Sequence, residues 1–203
     1  MRSVRILLST TMTVIGFLGM AQGPASAANP DNLIPTANYD HWRTGGTTCK
    51  TDNATVTYYM DSGGTNALEA GDKQMVRDVI ASEYQPTNLS VTHDSTPTFS
   101  GGAETDWYLT EGSVSGDSNG STFCNDPDLL TYKCDQHHIK IESGSWTAGM
   151  LCHELGHGVG FVHGDRASPR LSLTDGDNGC MRTPVGPWVF LDNNQITRIN
   201  NNY

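Results

Sequence analysis

The chain has 203 residues, of which 36% are hydrophobic, and it carries a formal net charge of -10. This length suffices for one ordinary domain with a substantial core and is too short for two large ones. The acidic balance gives no attraction to nucleic acid or to anionic membranes, so we expect neither as a partner.

The first 28 residues have the layout of a secretory signal peptide. Arg2 and Arg5 give a positive start, residues 6–20 are mainly apolar, and small residues at 25–28 provide a cleavage site. The alternative is a membrane anchor, but the apolar stretch is shorter than the roughly 20 residues that span a bilayer. We therefore predict a secreted, extracellular protein with one domain, residues 29–203, and no membrane attachment after signal removal.

The first half of this domain shows alternating strand and helix patterns. Residues 55–60 alternate β-branched and aromatic side chains, which predicts a strand. Apolar residues at helical spacing predict a helix over about 66–84 that ends before Pro86. Further strands are predicted at 89–92 and 105–110.

The second half is richer in turn residues. Residues 112–128 are predicted to be mostly loop, with a short strand at 121–124. Clean alternation predicts a strand over 138–142, and Ser143 or Ser145 is expected to cap a helix over about 146–159. A short helix is expected at 195–201. The order of elements predicts one α/β (α+β) domain, with a sheet backed by helices and a loop-rich C-terminal part.

The cysteine count suggests disulfide bonds. All five cysteines follow the predicted signal, and an exported protein enters an oxidising compartment. Two bonds and one remaining thiol is the simplest arrangement. Cys124 and Cys134 would close a short polar loop. The five are Cys49, Cys124, Cys134, Cys152 and Cys180.

Residues 153–163 carry the chemistry. His153 and His157 are four residues apart, so both imidazoles project from one face of the predicted helix, where they suit a zinc ion. Glu154 lies beside that face and could take a proton from a water activated by the metal. The alternative, a pair of histidines on a solvated helix face, does not explain the residues that follow.

His163 is the expected third ligand. A continuing helix would point it away from the first two histidines. Gly160 lies between them and can adopt positive φ, which would end the helix and turn the chain back. A catalytic zinc commonly has three protein ligands and one open position. We therefore predict one zinc ion on His153, His157 and His163.

The pattern H-E-x-x-H-x-x-G-x-x-H, residues 153–163, is the signature of the metzincin metalloproteases, which this chain resembles. The resemblance implies a twisted mixed sheet backed by two main helices. It also implies a Met-turn beneath the metal, for which Met181 is the candidate, and a Cys152–Cys180 bond tying that turn to the helix. The implied activity is endopeptidase cleavage of protein or peptide substrates, with Glu154 as general base. The substrate would pair with an edge strand near 121–124.

Two features depart from the best-known metzincin families. Gly164 follows the third histidine, where those families carry Asp, Glu or Ser, and Thr183 stands two residues after Met181, where some carry a metal-binding tyrosine. The chain therefore resembles the small bacterial or matrixin-like members without matching one family.

We expect the mature protein to be a monomer.

Other candidates have simpler interpretations. His137 and His138 are expected to be surface histidines rather than ligands of a second metal. Calcium could bind near Asp175, Asp177 and Asn178, or near Asp117 and Asn119, but ordinary turn chemistry is favoured. Cys49 is expected to be structural rather than a latency thiol. Trp107, Tyr108 and Trp188 are expected in the core; Trp188 and Phe190 are weaker candidates for the substrate pocket.

Two rival functions remain open on the sequence. One is a zinc amidase acting on a cell-wall peptide or another non-protein amide, because the motif serves any amide. The other is a binding protein that keeps the fold without turnover, which the intact Glu154 disfavours.

Overall fold

The computed structural model describes residues 29–39, 49–116, 118–128, 130–187 and 190–203. The predicted signal peptide lies outside the described residues, as do Asp117 and Trp188.

The described residues form eight strands and three α-helices. The strands are β1 Lys50–Thr51, β2 Thr55–Met60, β3 Ser90–His93, β4 Trp107–Glu111, β5 Gly120–Cys124, β6 Pro127–Asp128, β7 Lys133–Cys134 and β8 His137–Ile141. The helices are α1 Ala70–Val79, α2 Ala148–Val159 and α3 Asn193–Asn202.

The main sheet has the strand order β3-β2-β4-β8-β5. Four of its strands are parallel, and β5 runs antiparallel to β8 with Thr122 opposite Ile139. Strand β5 is therefore an edge strand. A small second sheet, β1-β7-β6, lies at the Cys124–Cys134 disulfide, which joins the ends of β5 and β7.

One face of the main sheet carries the core. Successive strand residues point to opposite faces, so Tyr58, Trp107 and Ile139 are buried under the helices. Helices α1 and α2 contact each other on this face, and α2 also lies against β5 and β8. The edge of the Tyr84 ring meets Trp107 with centroids 5.8 Å apart. The buried position of Trp107 agrees with the sequence prediction.

The coarse fold prediction is confirmed as a mixed α/β domain. The predicted strand over 55–60 is found at the predicted bounds. The predicted helix over 66–84 is interrupted: residues Gly64–Asn66 form a 3₁₀ turn, α1 begins at Ala70, and Ile80–Tyr84 is a π-helical turn.

Helix ends differ from the sequence prediction where side-chain contacts decide them. The α2 cap is Thr147 rather than Ser143 or Ser145, since Thr147 is extended and its hydroxyl accepts a hydrogen bond from Met150 N. Helix α3 begins at Asn193 because Asp192 and Gln195 form a capping box. None of the described helices combines the length and apolar character that a bilayer crossing requires.

Candidate metal centre

Helix α2 presents the first two histidines. Most of the helix is buried, and His153 and His157 lie one turn apart on it. The ring centroids of these two side chains are 4.8 Å apart. The two imidazoles therefore lie together at the inner face of the helix.

Gly160 ends α2 and reverses the chain. Its φ is +110°, a left-handed conformation, and its N–H donates to the carbonyls of Gly156 and His157. A side chain here would also be blocked, because an added Cβ would lie 2.5 Å from Lys50 Cβ. This is the turn that the sequence predicted, and it returns His163 to the helix face.

The three imidazole rings point their Nε2 atoms towards one another. Nε2 of His163 lies 3.0 Å from Nε2 of His153 and 3.2 Å from Nε2 of His157. Three nitrogens around a tetrahedral zinc at about 2.0–2.1 Å would be about 3.3 Å apart. Within the part of the chain that is described, this is the one cluster of three or more potential ligands close enough to hold an ion.

Hydrogen bonds from Nδ1 to backbone carbonyls fix the tautomers of two of these histidines. Nδ1 of His153 lies 2.8 Å from Cys180 O, and Nδ1 of His157 lies 2.8 Å from Phe161 O. A carbonyl only accepts, so each Nδ1 carries the proton and donates it. In the neutral ring Nε2 then has a free lone pair, which is the form that ligates metal. The donor set fits a metal ion.

Burial also favours the neutral form of the cluster. It lowers the pKa of His153 to about 4, assisted by the neighbouring His163, and it lowers the pKa values of His157 and His163. Three uncharged imidazoles so close together match the requirement that ligands be deprotonated.

Glu154 follows the first histidine on α2, and its side chain lies against the edge strand β5. Its side chain is 4% exposed, and its Oε2 accepts a hydrogen bond of 2.7 Å from the Thr122 hydroxyl. Burial raises the pKa of Glu154 to about 7, while the Thr122 hydrogen bond opposes the rise. A carboxylate with such a pKa suits a general base near neutral pH.

Met181, the candidate that the resemblance implied for a Met-turn, packs against α2. It is fully buried, and its Sδ occupies the space where a side chain of Gly156 would begin. The preceding residue, Cys180, is joined by a disulfide to Cys152 and holds His153 through its carbonyl. Both predicted disulfides are present, and Cys49 is a buried free thiol.

Gly164 is required by packing. An added Cβ would lie 2.5 Å from Oδ1 of Asn178, a fully buried residue. The Asn178 amide donates to Ser172 O and Leu173 O and so connects the His163 loop to the segment before Met181. The residue that departs from the best-known families is thus a glycine because Asn178 fills its side-chain space.

The tandem histidines are not both at the surface, so that prediction is wrong for His137. Neighbouring residues on a strand point to opposite faces of the sheet. His137 is fully buried, and its Nε2 lies 2.9 Å from Cys49 O. Burial lowers the pKa of His137 to about 4. His138 lies on the outer face between Tyr108 and Phe123. Tyr108 is therefore also on the outer face rather than in the core.

The acidic turn before Met181 shows ordinary turn chemistry. Asp175 accepts a hydrogen bond from Asp177 N, and Arg182 donates to its carbonyl. The Phe190 ring is 42% exposed and lies under the Arg182 guanidinium at 5.9 Å. Its suggested role in a substrate pocket remains a prediction.

A separate acidic cavity of about 270 Å³ went unnoticed in the sequence because its residues are scattered along the chain. No three of its carboxylates among the described residues converge closely enough to hold an ion. Its acidic lining comprises Asp52, Asp94, Glu104, Asp106 and Asp135.

The sequence alone assigned no role at the histidine cluster to Thr122, Gly120 or Asn178. Each reaches the site through a contact that no local spacing encodes; Thr122 is 32 residues from Glu154. Comparison with protein-family models and with curated proteins finds no match to this chain.

Proposed function

We propose that this chain is a secreted zinc-dependent endopeptidase of the metzincin type, acting as a monomer on extracellular proteins or peptides. The observation that carries the proposal is the convergence of Nε2 of His153, His157 and His163, with two opposite nitrogens anchored by backbone carbonyls. Three neutral imidazoles beside a buried carboxylate are the ligand set and base of such enzymes.

The roles follow from the positions of the side chains. His153, His157 and His163 hold the ion. When bound, zinc supplies Lewis acidity, which polarises a carbonyl and acidifies water. Glu154 accepts the proton of the attacking water at its carboxylate and passes it to the leaving amine.

Strand β5 is the proposed substrate-binding edge. Among the described strands it pairs with β8 alone, and its other edge is the one that we propose offers backbone N–H and C=O groups to an extended peptide. Because Thr122 of the same strand contacts Glu154, a peptide paired there would pass beside the base.

The test compares hydrolysis of denatured casein by the purified secreted chain and its Glu154→Gln variant, both loaded with zinc. Loss of the base should lower kcat by at least about 100-fold, with zinc still bound, because general-base catalysis contributes that much. Glu69→Gln changes an exposed glutamate and should leave the rate as in the wild type.

Equal rates in wild type and Glu154→Gln would contradict the proposal. Absence of cleavage on proteins, with turnover of cell-wall peptides or other amides, would instead establish the amidase. Absence of turnover on every amide, with zinc bound, would leave a binding protein.

A further inference from the structure

The edge strand β5 contacts the candidate base directly. The Thr122 hydroxyl lies 2.7 Å from Oε2 of Glu154 and 2.9 Å from the Glu154 carbonyl oxygen. A hydroxyl donates one proton at a time. The shorter distance and the negative charge of the ionised carboxylate assign that proton to Oε2.

A second residue of β5 shapes the same pocket. Gly120 is two residues before Thr122, so both face α2. An added Cβ at Gly120 would lie 2.5 Å from Oε1 and 2.9 Å from Cδ of Glu154. One carboxylate oxygen thus fills the space that Gly120 leaves, while the other is held by Thr122.

This arrangement restricts the orientation of a flexible side chain. The torsion that rotates a glutamate carboxylate is broad, and the backbone of α2 alone does not set it. Thr122 stands on a strand paired with β8 and can therefore hold Oε2 at a constant position. The contact is absent from the zinc motif, since it comes from a different part of the chain.

We propose that Thr122 is a positioning residue, which holds the Glu154 carboxylate beside the three histidines while Gly120 leaves the space for it. The inference rests on the proposed function for its catalytic consequence. Its structural content, the orientation of Glu154, is independent of the substrate.

The kinetic test uses zinc-loaded Thr122→Val, which keeps the shape and the β-branch, and Thr122→Ser, which keeps the hydroxyl. We expect kcat on casein to fall about 10- to 100-fold in the valine variant, the loss typical of a hydrogen bond to a charged group. KM, zinc content and Tm should stay near wild type, and serine should restore most of the rate. Thr92→Val, an exposed threonine on the opposite edge strand β3, is the matched control.

A double variant separates positioning from general structural damage. If Thr122 acts through Glu154, Thr122→Val should have no further effect on the residual rate of Glu154→Gln. A further tenfold loss in that background would overturn the inference.

Crystal structures of the zinc-loaded wild type and Thr122→Val give a readout that does not depend on turnover. We expect the Glu154 carboxylate to leave its wild-type position in the valine variant and to keep it in Thr122→Ser. An unchanged carboxylate in Thr122→Val overturns the inference. If the wild type binds zinc and hydrolyses nothing, the proposed function fails, and this comparison alone decides the role of Thr122.

Discussion

Three glycines around the histidine cluster exist because other atoms occupy their side-chain space. Gly120 faces the Glu154 carboxylate, Gly156 faces Met181 Sδ and Gly164 faces the Asn178 amide. A fourth, Gly160, is needed for its positive φ. Only the role of Gly160 could be interpreted from the motif, because the other three glycines are set by partners 14 to 34 residues away in the chain. Residue identity at the site is therefore determined by packing as well as by ligation.

Gly164→Ala should lower the free energy of unfolding by about 1–3 kcal/mol, because the new methyl group would overlap the Asn178 amide. Gly71→Ala is the matched control. Gly71 lies in α1 with open space around it, so alanine there should stabilise the fold by about 0.5–1 kcal/mol. Urea unfolding measures both, and equal effects of the two substitutions would contradict the packing argument.

His163→Ala should weaken zinc binding by more than about 100-fold, because loss of a ligand exceeds the 10- to 100-fold loss seen for outer partners. Competition with a chromophoric chelator measures the affinity. His93→Ala removes an exposed histidine of β3 and should bind zinc like the wild type. Retention of full affinity in His163→Ala would exclude His163 as a ligand.

At the scale of elements, helix α2 is held by contacts from several parts of the chain. Tyr84 of the π-helical turn donates to Cys152 O, the Cys152–Cys180 bond joins the helix to the segment before Met181, and Thr122 joins it to β5. These contacts come from elements before and after the helix in the chain. A helix of 12 residues is marginally stable alone. The surrounding elements therefore fix the orientation in which α2 presents its histidines.

Removal of the Cys152–Cys180 bond by double alanine substitution should cost about 3–4 kcal/mol, the loop entropy of a 28-residue separation. It should also weaken zinc binding, because Cys180 O holds His153. The matched control removes Cys124–Cys134, which spans 10 residues. That change should cost about 1 kcal/mol less on the same entropy relation, and it should leave zinc affinity near wild type. Equal zinc affinity in both double variants would contradict the role of the Cys152–Cys180 bond in keeping Cys180 O against His153.

At the scale of the molecule, the main sheet separates two unlike faces. The inner face is apolar and carries α1 and α2, whereas the outer face carries Tyr59, Tyr108 and His138 in ring contact across neighbouring strands. The histidine cluster lies on the inner side, where the helix, the turn before Met181 and β5 meet. A metal ion bound there would link helix α2 to the turn that carries His163.

Metal removal should therefore lower the stability of the whole domain. An ion that binds only the folded state at 100 times its Kd adds about 2.7 kcal/mol, which is roughly 5–10 °C in Tm for a domain of this size. Thermal unfolding before and after treatment with a chelator measures the shift, and added zinc should reverse it. The His163→Ala variant should show little shift; an equally large one would place the stabilising ion elsewhere.

The sequence by itself determined the members of the histidine cluster, the turn at Gly160 and most strands. These depend on local spacing: four residues on a helix, two on a strand, and one glycine with positive φ. It also gave the pairing of Cys152 with Cys180, through the resemblance. It misplaced His137 because a pair of polar neighbours does not reveal which one faces the core.

Only the tertiary structure decided the environment of those residues. The burial that raises the pKa of Glu154, the hydroxyl of Thr122 that holds it, and the amide of Asn178 that requires Gly164 all come from contacts between distant segments. Such contacts have no period in the sequence, because each depends on how the sheet, α2 and the C-terminal turns pack in three dimensions. Local spacing in the sequence identifies the chemical groups of the site. Packing determines the orientation of their side chains and raises the pKa of Glu154.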